Sequence, residues 1–492
     1  MSILDAIRRV TESSGVEEKL ESVSGHITNF SPVRLAVLIS ISTVAMIKAY
    51  LTLIGVLDIV VGMYGLLAIS MVFASFFLSY TKYEDPAKRA RDRSATNNNN
   101  EVDNFQSITN SGSGSSLLVL TSSPAKEPSV SIIIPVFNEE ELISGTVESC
   151  TRIRYPPEKM EIILVNDGST DGTYSKLEAI KQQYSHSRIK LVQLEKNMGK
   201  RKAIREAITQ GNAEGDVIIL VDSDCVVDEN AVEALVDSLR DPNVGAVTGH
   251  GLVKNNNQNL LTKIQETWYD GQFSVLKGME SSLESVTCCS GILSAYKREA
   301  MMPCLDRWCN DRFLGAEFKP GDDRHLTSFV LGGSHYYLGK EHRVWNVKYC
   351  ESAITHTEVP FKLKKFIKQQ ARWKKSWVRL FFFNMPFYFR YRPWPAAYIY
   401  YMQSMLSFIS PLVALRSLVL LPLQGDFFNA LVYLSGISFI GTLYAVEFKL
   451  RNPNSGTRWL YRLLVPFLSV GLLNFLIYYS LLTMRSKSWM TR

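Results

Sequence analysis

The sequence predicts a cytosolic α/β domain fused to an α-helical transmembrane region. Three observations predict it. The 492 residues are 46% hydrophobic yet average a mean hydropathy of 0.00, so the apolar residues are pooled rather than spread. Long apolar runs stand towards both ends. Between them, short β-branched runs alternate with polar helical stretches. Seven cysteines, without a C-x-x-C pair, all fall between the apolar ends, which fits a reduced middle domain and excludes a disulfide miniprotein. The histidines show no zinc spacing. A net charge of +7 suits nucleic acid, anionic lipid or a phosphorylated substrate, so position has to decide.

Residues 1–34 are polar and read as a cytosolic N-terminal segment, and no cleaved signal peptide is expected because the first apolar run begins late. Runs at 35–57 and 59–80, divided by Asp58, read as a transmembrane hairpin over 35–81. A second hairpin is expected over 397–448, from runs at 397–421 and 427–446. Lys and Arg crowd the N-terminus, the stretch after the first hairpin, the 449–462 loop and the tail, all therefore cytosolic. Both ends of the run 463–484 then lie inside, and Pro466, Gly471 and Asn474 interrupt it. Residues 449–492 are accordingly read as a re-entrant or interfacial segment with a cytosolic tail; a fifth ordinary span is the alternative. Arg416 is expected to snorkel, and Lys48 either to snorkel or to face a polar path.

Residues 82–128 hold four consecutive Asn and the stretch SGSGSS, the composition of a disordered tether. Residues 129–358 form the α/β domain. Its strands VSIIIPVF, EIILVND and DVIILVDSD are near-continuous apolar runs, as in a parallel sheet covered on both faces, and ligands bind at the carboxyl ends of such strands. Residues 359–396 carry eight Lys or Arg between 362 and 379, with Phe366, Trp373, Trp377 and Leu380 at helical spacing. These read as amphipathic helices on an anionic leaflet, and the Phe and Trp content argues for lipid over nucleic acid.

Asp222 and Asp224 close an apolar strand, where hard oxygen ligands suit a divalent ion on a diphosphate; the same pair is common in turns and helix caps. Asp167 ends another strand with the same two readings. Lys200, Arg201 and Lys202 open a helix after Gly199, a place for a phosphate or for a solvated face.

Taken together, IIPVFNEEE, VNDGSTDGT, NMGKRKAI and VDSD resemble, in order and spacing, the family-2 glycosyltransferases, whose nucleotide-sugar fold is GT-A. GDDRHLT and QQARW resemble the general-base and Q-x-x-R-W motifs of processive membrane synthases in that family, and CCSGILSAYKR resembles their acceptor segment. FLG before GDDRHLT, the GDD triplet, RWKKSW and the tail SWMTR are similar to hyaluronan synthases. Met490 and Ile292 depart from that pattern.

The resemblance implies a processive inverting transferase that polymerises UDP-sugars, hyaluronan from UDP-N-acetylglucosamine and UDP-glucuronate, and passes the product through its own spans in the plasma membrane. A chitin or chitin-oligosaccharide synthase and a lipid-phosphate sugar transferase are the alternatives. By it, Asp323 is the base, with Asp322 a neighbour that raises its pKa or caps the helix. Asp222 and Asp224 hold Mg²⁺ or Mn²⁺. Pro135, Asn138, Glu139, Asp167, Lys200, Arg201, Gln369, Arg372, Trp373, Trp489 and Arg492 line the nucleotide sugar. Cys288, Ser290, Gly291 and Trp373 meet the acceptor. The implied partners are UDP-sugars, the growing polysaccharide and the bilayer, without nucleic acid and with a monomer as the working unit.

Overall fold

The computed structural model describes residues 31–92 and 127–484. Trp489 and Arg492 lie outside the described residues, as does most of the tether. The central strands β1 (Val130–Val136), β2 (Met160–Asn166), β3 (Ile189–Gln193) and β4 (Val217–Leu220) pair in parallel in the order β3-β2-β1-β4. Helices α1 (Ile143–Thr151), α2 (Thr173–Gln183) and α3 (Lys200–Thr209) follow β1, β2 and β3. Two apolar clusters pack the two faces of the sheet, one holding Ile133, Ile163 and Ile218 and the other Ile132, Ile162 and Ile219, which is why these strands are apolar at successive positions.

Beyond β4 the sheet departs from the all-parallel expectation. It continues through β7 (Ser294–Lys297), β6 (Val244–Val253), β10 (Asn346–Thr357) and β5 (Val226–Val227), with β7 antiparallel to both β4 and β6. The reason is where the chain enters. Ser294 stands opposite Leu220, at the carboxyl end of β4, so the strand can only run back down the sheet. A small hairpin, β8 (Arg312–Phe313) with β9 (Ala316–Glu317), turns on Leu314 and Gly315, both at positive φ, a two-residue turn of the kind that matches strand twist.

Among the described residues, five helical stretches are long and apolar enough to cross a membrane. They are Pro32–Leu53, Ile59–Asp92, Trp394–Leu423, Phe427–Arg451 and Arg458–Leu482. The last is interrupted as its sequence suggests, by a 3-10 start at Arg458–Leu464 and a π segment at Ser469–Leu473. Arg416 does not simply snorkel: its guanidinium makes two bonds to Asp58, at 2.9 and 2.5 Å, because Asp58 caps the second helix at the hairpin turn. Lys48 lies half-buried against Gly65.

The tether composition also misreads its own beginning. Tyr83 stacks on Tyr349, Asp85 accepts from Ser352 N and Oγ at 2.7 Å, and Arg91 pairs with Asp237 at 3.2 Å, so residues 83–92 are docked on the sheet domain. A composition averaged over the whole tether hides these specific partners.

The amphipathic stretch holds a long helix, α4 (Leu363–Asn384), and a short one at Tyr388–Tyr391. The first turns of α4 expose Lys362, Lys364, Lys365 and Lys368, whereas Lys375 and Arg379 are buried: Lys375 donates to Thr483 O at 2.9 Å and Arg379 to Asp311 at 2.8 Å. Only its first half has the character of a leaflet-facing helix.

Candidate functional site

The site is built along the carboxyl ends of β1, β2 and β4. Asn138, at φ 54, interlocks with the next loop: its main-chain N donates to Ser169 Oγ at 3.0 Å and its Oδ1 accepts from Thr170 N at 2.9 Å. Glu139 N donates to Thr173 Oγ1 at 2.9 Å, and Pro135 stands beside Val165 in the ladder. Asp167 is buried, with Oδ1 accepting from Met198 N at 2.7 Å and Oδ2 from Gly199 N at 2.9 Å. Burial pushes its carboxyl up against the pull of those two N–H groups. Gly168, at φ 66, lets the 196–197 backbone pass where a Cβ would overlap it. Asp167 therefore shapes the loop that delivers Lys200.

Lys200 and Arg201 are consecutive but point to different places, as neighbours on a helix must. The Lys200 ammonium bonds Asp222. Burial works against its charge, but Asp222, then Asp322 and Asp323, outweigh it and hold its pKa above the ordinary lysine value. Arg201 is buried: Nε donates to Asp322 Oδ1 at 2.5 Å and Nη1 to Trp308 O at 3.0 Å. Its guanidinium is thus engaged by the GDD turn and is not free for a phosphate. A signal for this was present, since Arg201 shares the buried stripe of Ile204 and Ile208 at helical spacing.

The base turn is held from three sides. Gly321 adopts φ 77 and lies so close to Ser376 of α4 that a Cβ would overlap the serine. Trp308 Nε1 donates to Asp322 O at 2.9 Å, and burial pushes the Asp322 carboxyl up against Arg201 and Lys200. Asp311 takes Arg379 at 2.8 Å beneath the turn. Asp323, half-buried, accepts from Arg324 N at Oδ1 (2.8 Å) and from the Cys288 thiol at Oδ2 (3.4 Å). Burial and then Asp323 push that thiol up to about 12, so it stays an S–H donor.

The acceptor segment joins the two sets of acids. Cys288 touches Asp323, Cys289 N donates to Thr327 Oγ1, Ser290 N donates to Thr248 Oγ1, and Gly291 lies beside Lys200 Nζ and Asp222. From Cys288 to Gly291 is three residue steps, at most roughly 11 Å of chain. Asp323 and the strand-end Asp222 therefore lie at the two ends of one short segment. Trp373 lies with its ring 6.4 Å from that of Tyr269, and Gln369 Oε1 is buried with no hydrogen-bond partner among the described residues. Arg372 is half-buried on the same helix.

Asp224 is buried beside Cys225 at the end of β4. Among the described residues no three His, Cys, Asp or Glu side chains converge as a metal cage. Asp222, which faces the small Gly291, and the nearby Asp224 supply hard oxygens of the kind a divalent ion takes, the remaining ones coming from a diphosphate. Trp308 and Asp311, which brace the turn, carry no signal readable in the sequence, and RWKKSW and the basic run mark Ser376 and Arg379 without saying that they do so.

Residues 131–303 match the model for "Glycosyl transferase family 2". A hyaluronan synthase of Streptococcus pyogenes is 32% identical over 368 residues, 74% of this chain and 83% of that one. The chain belongs to the family-2 glycosyltransferases. Its sheet domain is accordingly a GT-A domain, and the protein is a UDP-sugar-dependent hexosyltransferase. An N-acetylglucosaminyltransferase of Azorhizobium caulinodans is 34% identical over 255 residues, 51% of this chain and 60% of that one. Among solved structures, a mannosyltransferase from Pyrobaculum calidifontis in complex with GDP-Man and Mn²⁺ aligns over 83% of this chain and 99% of that one, with 19% identity and a TM-score of 0.46.

Proposed function

We propose that this family-2 glycosyltransferase is a processive, inverting synthase that makes hyaluronan from UDP-N-acetylglucosamine and UDP-glucuronate, with its GT-A domain cytosolic and its helices in the plasma membrane. The observation that carries the catalytic part is the acceptor segment, which runs from Asp323 at Cys288 to Asp222 at Gly291. The hyaluronan part is supported by the 32% identity to the streptococcal synthase.

In this reading Asp323 removes the proton of the acceptor hydroxyl, whose oxygen bonds the donor anomeric carbon as the bond to diphosphate breaks. Asp222 and Asp224 would hold Mg²⁺ or Mn²⁺, which supplies charge neutralisation to the leaving diphosphate. Lys200 adds a fixed positive charge on that side, and Arg372, with Gln369, reaches the pyrophosphate by its planar fork. Asn138, Glu139, Pro135 and Asp167 frame the nucleotide; Trp373 stacks the acceptor sugar, with Cys288 and Ser290 along its edge. The segment 458–482 fits a re-entrant element, because Arg458 binds Glu266 at 2.8 Å at its start while Ser480 and Thr483 bind Ala371 and Lys375 of α4 at its end.

The test is a donor assay on purified protein. Polymer that requires both UDP-sugars and is cut by a hyaluronan-degrading lyase is expected. Polymer from UDP-N-acetylglucosamine alone rejects hyaluronan in favour of a chitin-type product, the second reading, which the N-acetylglucosaminyltransferase similarity favours.

A further inference from the structure

Two cations beside the acceptor segment stand apart from the others around the site. Arg201 and Arg379, which brace the base turn, each have a carboxylate partner. Arg324, the residue after Asp323, places its Cζ 5.8 Å from the centre of the Trp377 ring, and Lys374 places its Nζ 5.9 Å from the same centre. Among the described residues neither has a carboxylate oxygen within 4.0 Å. The nearby acids are occupied. Asp323 accepts from Arg324 N and Cys288, and Glu280 accepts from Thr287 N at 3.2 Å and Thr287 Oγ1 at 2.7 Å. A third cation, Lys277, bonds the carbonyl of Cys288.

Two like charges drawn to one indole and half-buried repel each other, and the repulsion is relieved by an anion between them. Burial and then Arg324 hold the Lys374 ammonium down to about 8, so the like charge of Arg324 is felt there. The position selects the anion. The donor diphosphate is assigned to the Asp222 and Lys200 end of the acceptor segment, whereas Arg324 stands at its Cys288 end, with the acceptor chain. A neutral polymer has no group to offer there.

We propose that Arg324 and Lys374, supported on Trp377, form a carboxylate subsite for the uronic sugar of the growing chain. The inference rests on the hyaluronan reading and names the residues that would make the enzyme prefer an acidic acceptor. The shared chemistry is an oxyanion, and the donor diphosphate is the other source.

The test uses the purified full chain and three probes: a hyaluronan tetrasaccharide, its carboxyl-reduced neutral counterpart, and UDP. Wild type should bind the acidic tetrasaccharide about tenfold better than the neutral one, the scale of one charge-assisted contact. K374Q should erase that preference with UDP affinity unchanged, and K374R, which keeps the charge, should restore it. An intact preference in K374Q overturns the subsite, as does UDP affinity that falls in step with tetrasaccharide affinity. If the donor assay yields an acidic polymer while K374Q keeps its preference, the subsite alone fails. If it yields a neutral polymer, the hyaluronan reading fails and takes the carboxylate with it.

Discussion

The donor side and the acceptor side of this site are held by different forces. On the donor side, neighbouring loops at strand ends are tied by side-chain to main-chain bonds: Asp167 accepts from Met198 N and Gly199 N, Asn138 N donates to Ser169 Oγ and Asn138 Oδ1 accepts from Thr170 N. On the acceptor side, the GDD turn is fixed by charge and close packing between distant segments: Arg201 to Asp322 across 121 residues, Arg379 to Asp311 across 68, and Gly321 on Ser376. The difference teaches that the strand-end loops are held largely by local bonds, with one ion pair at Lys200 and Asp222, while the turn carrying Asp323 depends on buried charges from distant segments. Removing one member of such a pair leaves the other uncompensated, which costs far more than a lost loop bond.

The largest effect is expected at the base. D323N should lower sugar incorporation by about a thousandfold while UDP affinity, measured by calorimetry, stays within about twofold. Retained turnover removes Asp323 from that role. R201Q leaves Asp322 buried without its partner and should cost about 3 kcal/mol in unfolding. N138A, on the donor side, should cost about 1 kcal/mol. Equal losses in thermal or denaturant unfolding would break the contrast between the two sides.

G321A sharpens it further. A Cβ at φ 77 is strained and also meets Ser376, so a loss of about 2 kcal/mol is expected, of which G321A/S376G should recover the packing part. The smallest effect is a pH dependence in the second half of the sheet. His250, bonded to Tyr349 OH at 2.5 Å, has its pKa pushed down to about 3 by burial, then by Arg451 and His356. Below its ordinary value of 6.5 the unfolded chain takes up a proton that the folded chain refuses, so stability falls as pH drops from about 6.5 towards 3. About 1 kcal/mol should be lost between pH 7 and 5.5, and H250F should flatten that slope in melting curves.

The donor side was legible because a strand buried on both faces writes itself as an unbroken apolar run ending in turn residues, here at Asn138, Asp167 and Asp222. The acceptor side was legible only through its motifs. GDDRHLT names Asp323, but nothing in the chain announces that Asp311 and Arg379 lie beneath it, or that Arg324 and Lys374 share one indole, because ion pairs between remote segments leave no periodicity. The reading of Lys200, Arg201 and Lys202 as a place for a phosphate or a solvated face did not foresee that helix geometry separates them: the first bonds Asp222 and the second, buried, bonds Asp322. The reversal of β7 was likewise invisible, since pairing direction depends on where the chain re-enters the sheet and not on strand composition.

The polar contacts at Asp58 have a mechanical consequence. Asp58, in the turn of the first hairpin, takes both nitrogens of Arg416, and its main-chain N donates to Asn429 at 3.0 Å, beside Asp426 in the turn of the second. The two turns are thus tied to each other by polar bonds. Helices fastened at that end have less freedom there, so any spreading of the bundle would have to come at their other ends.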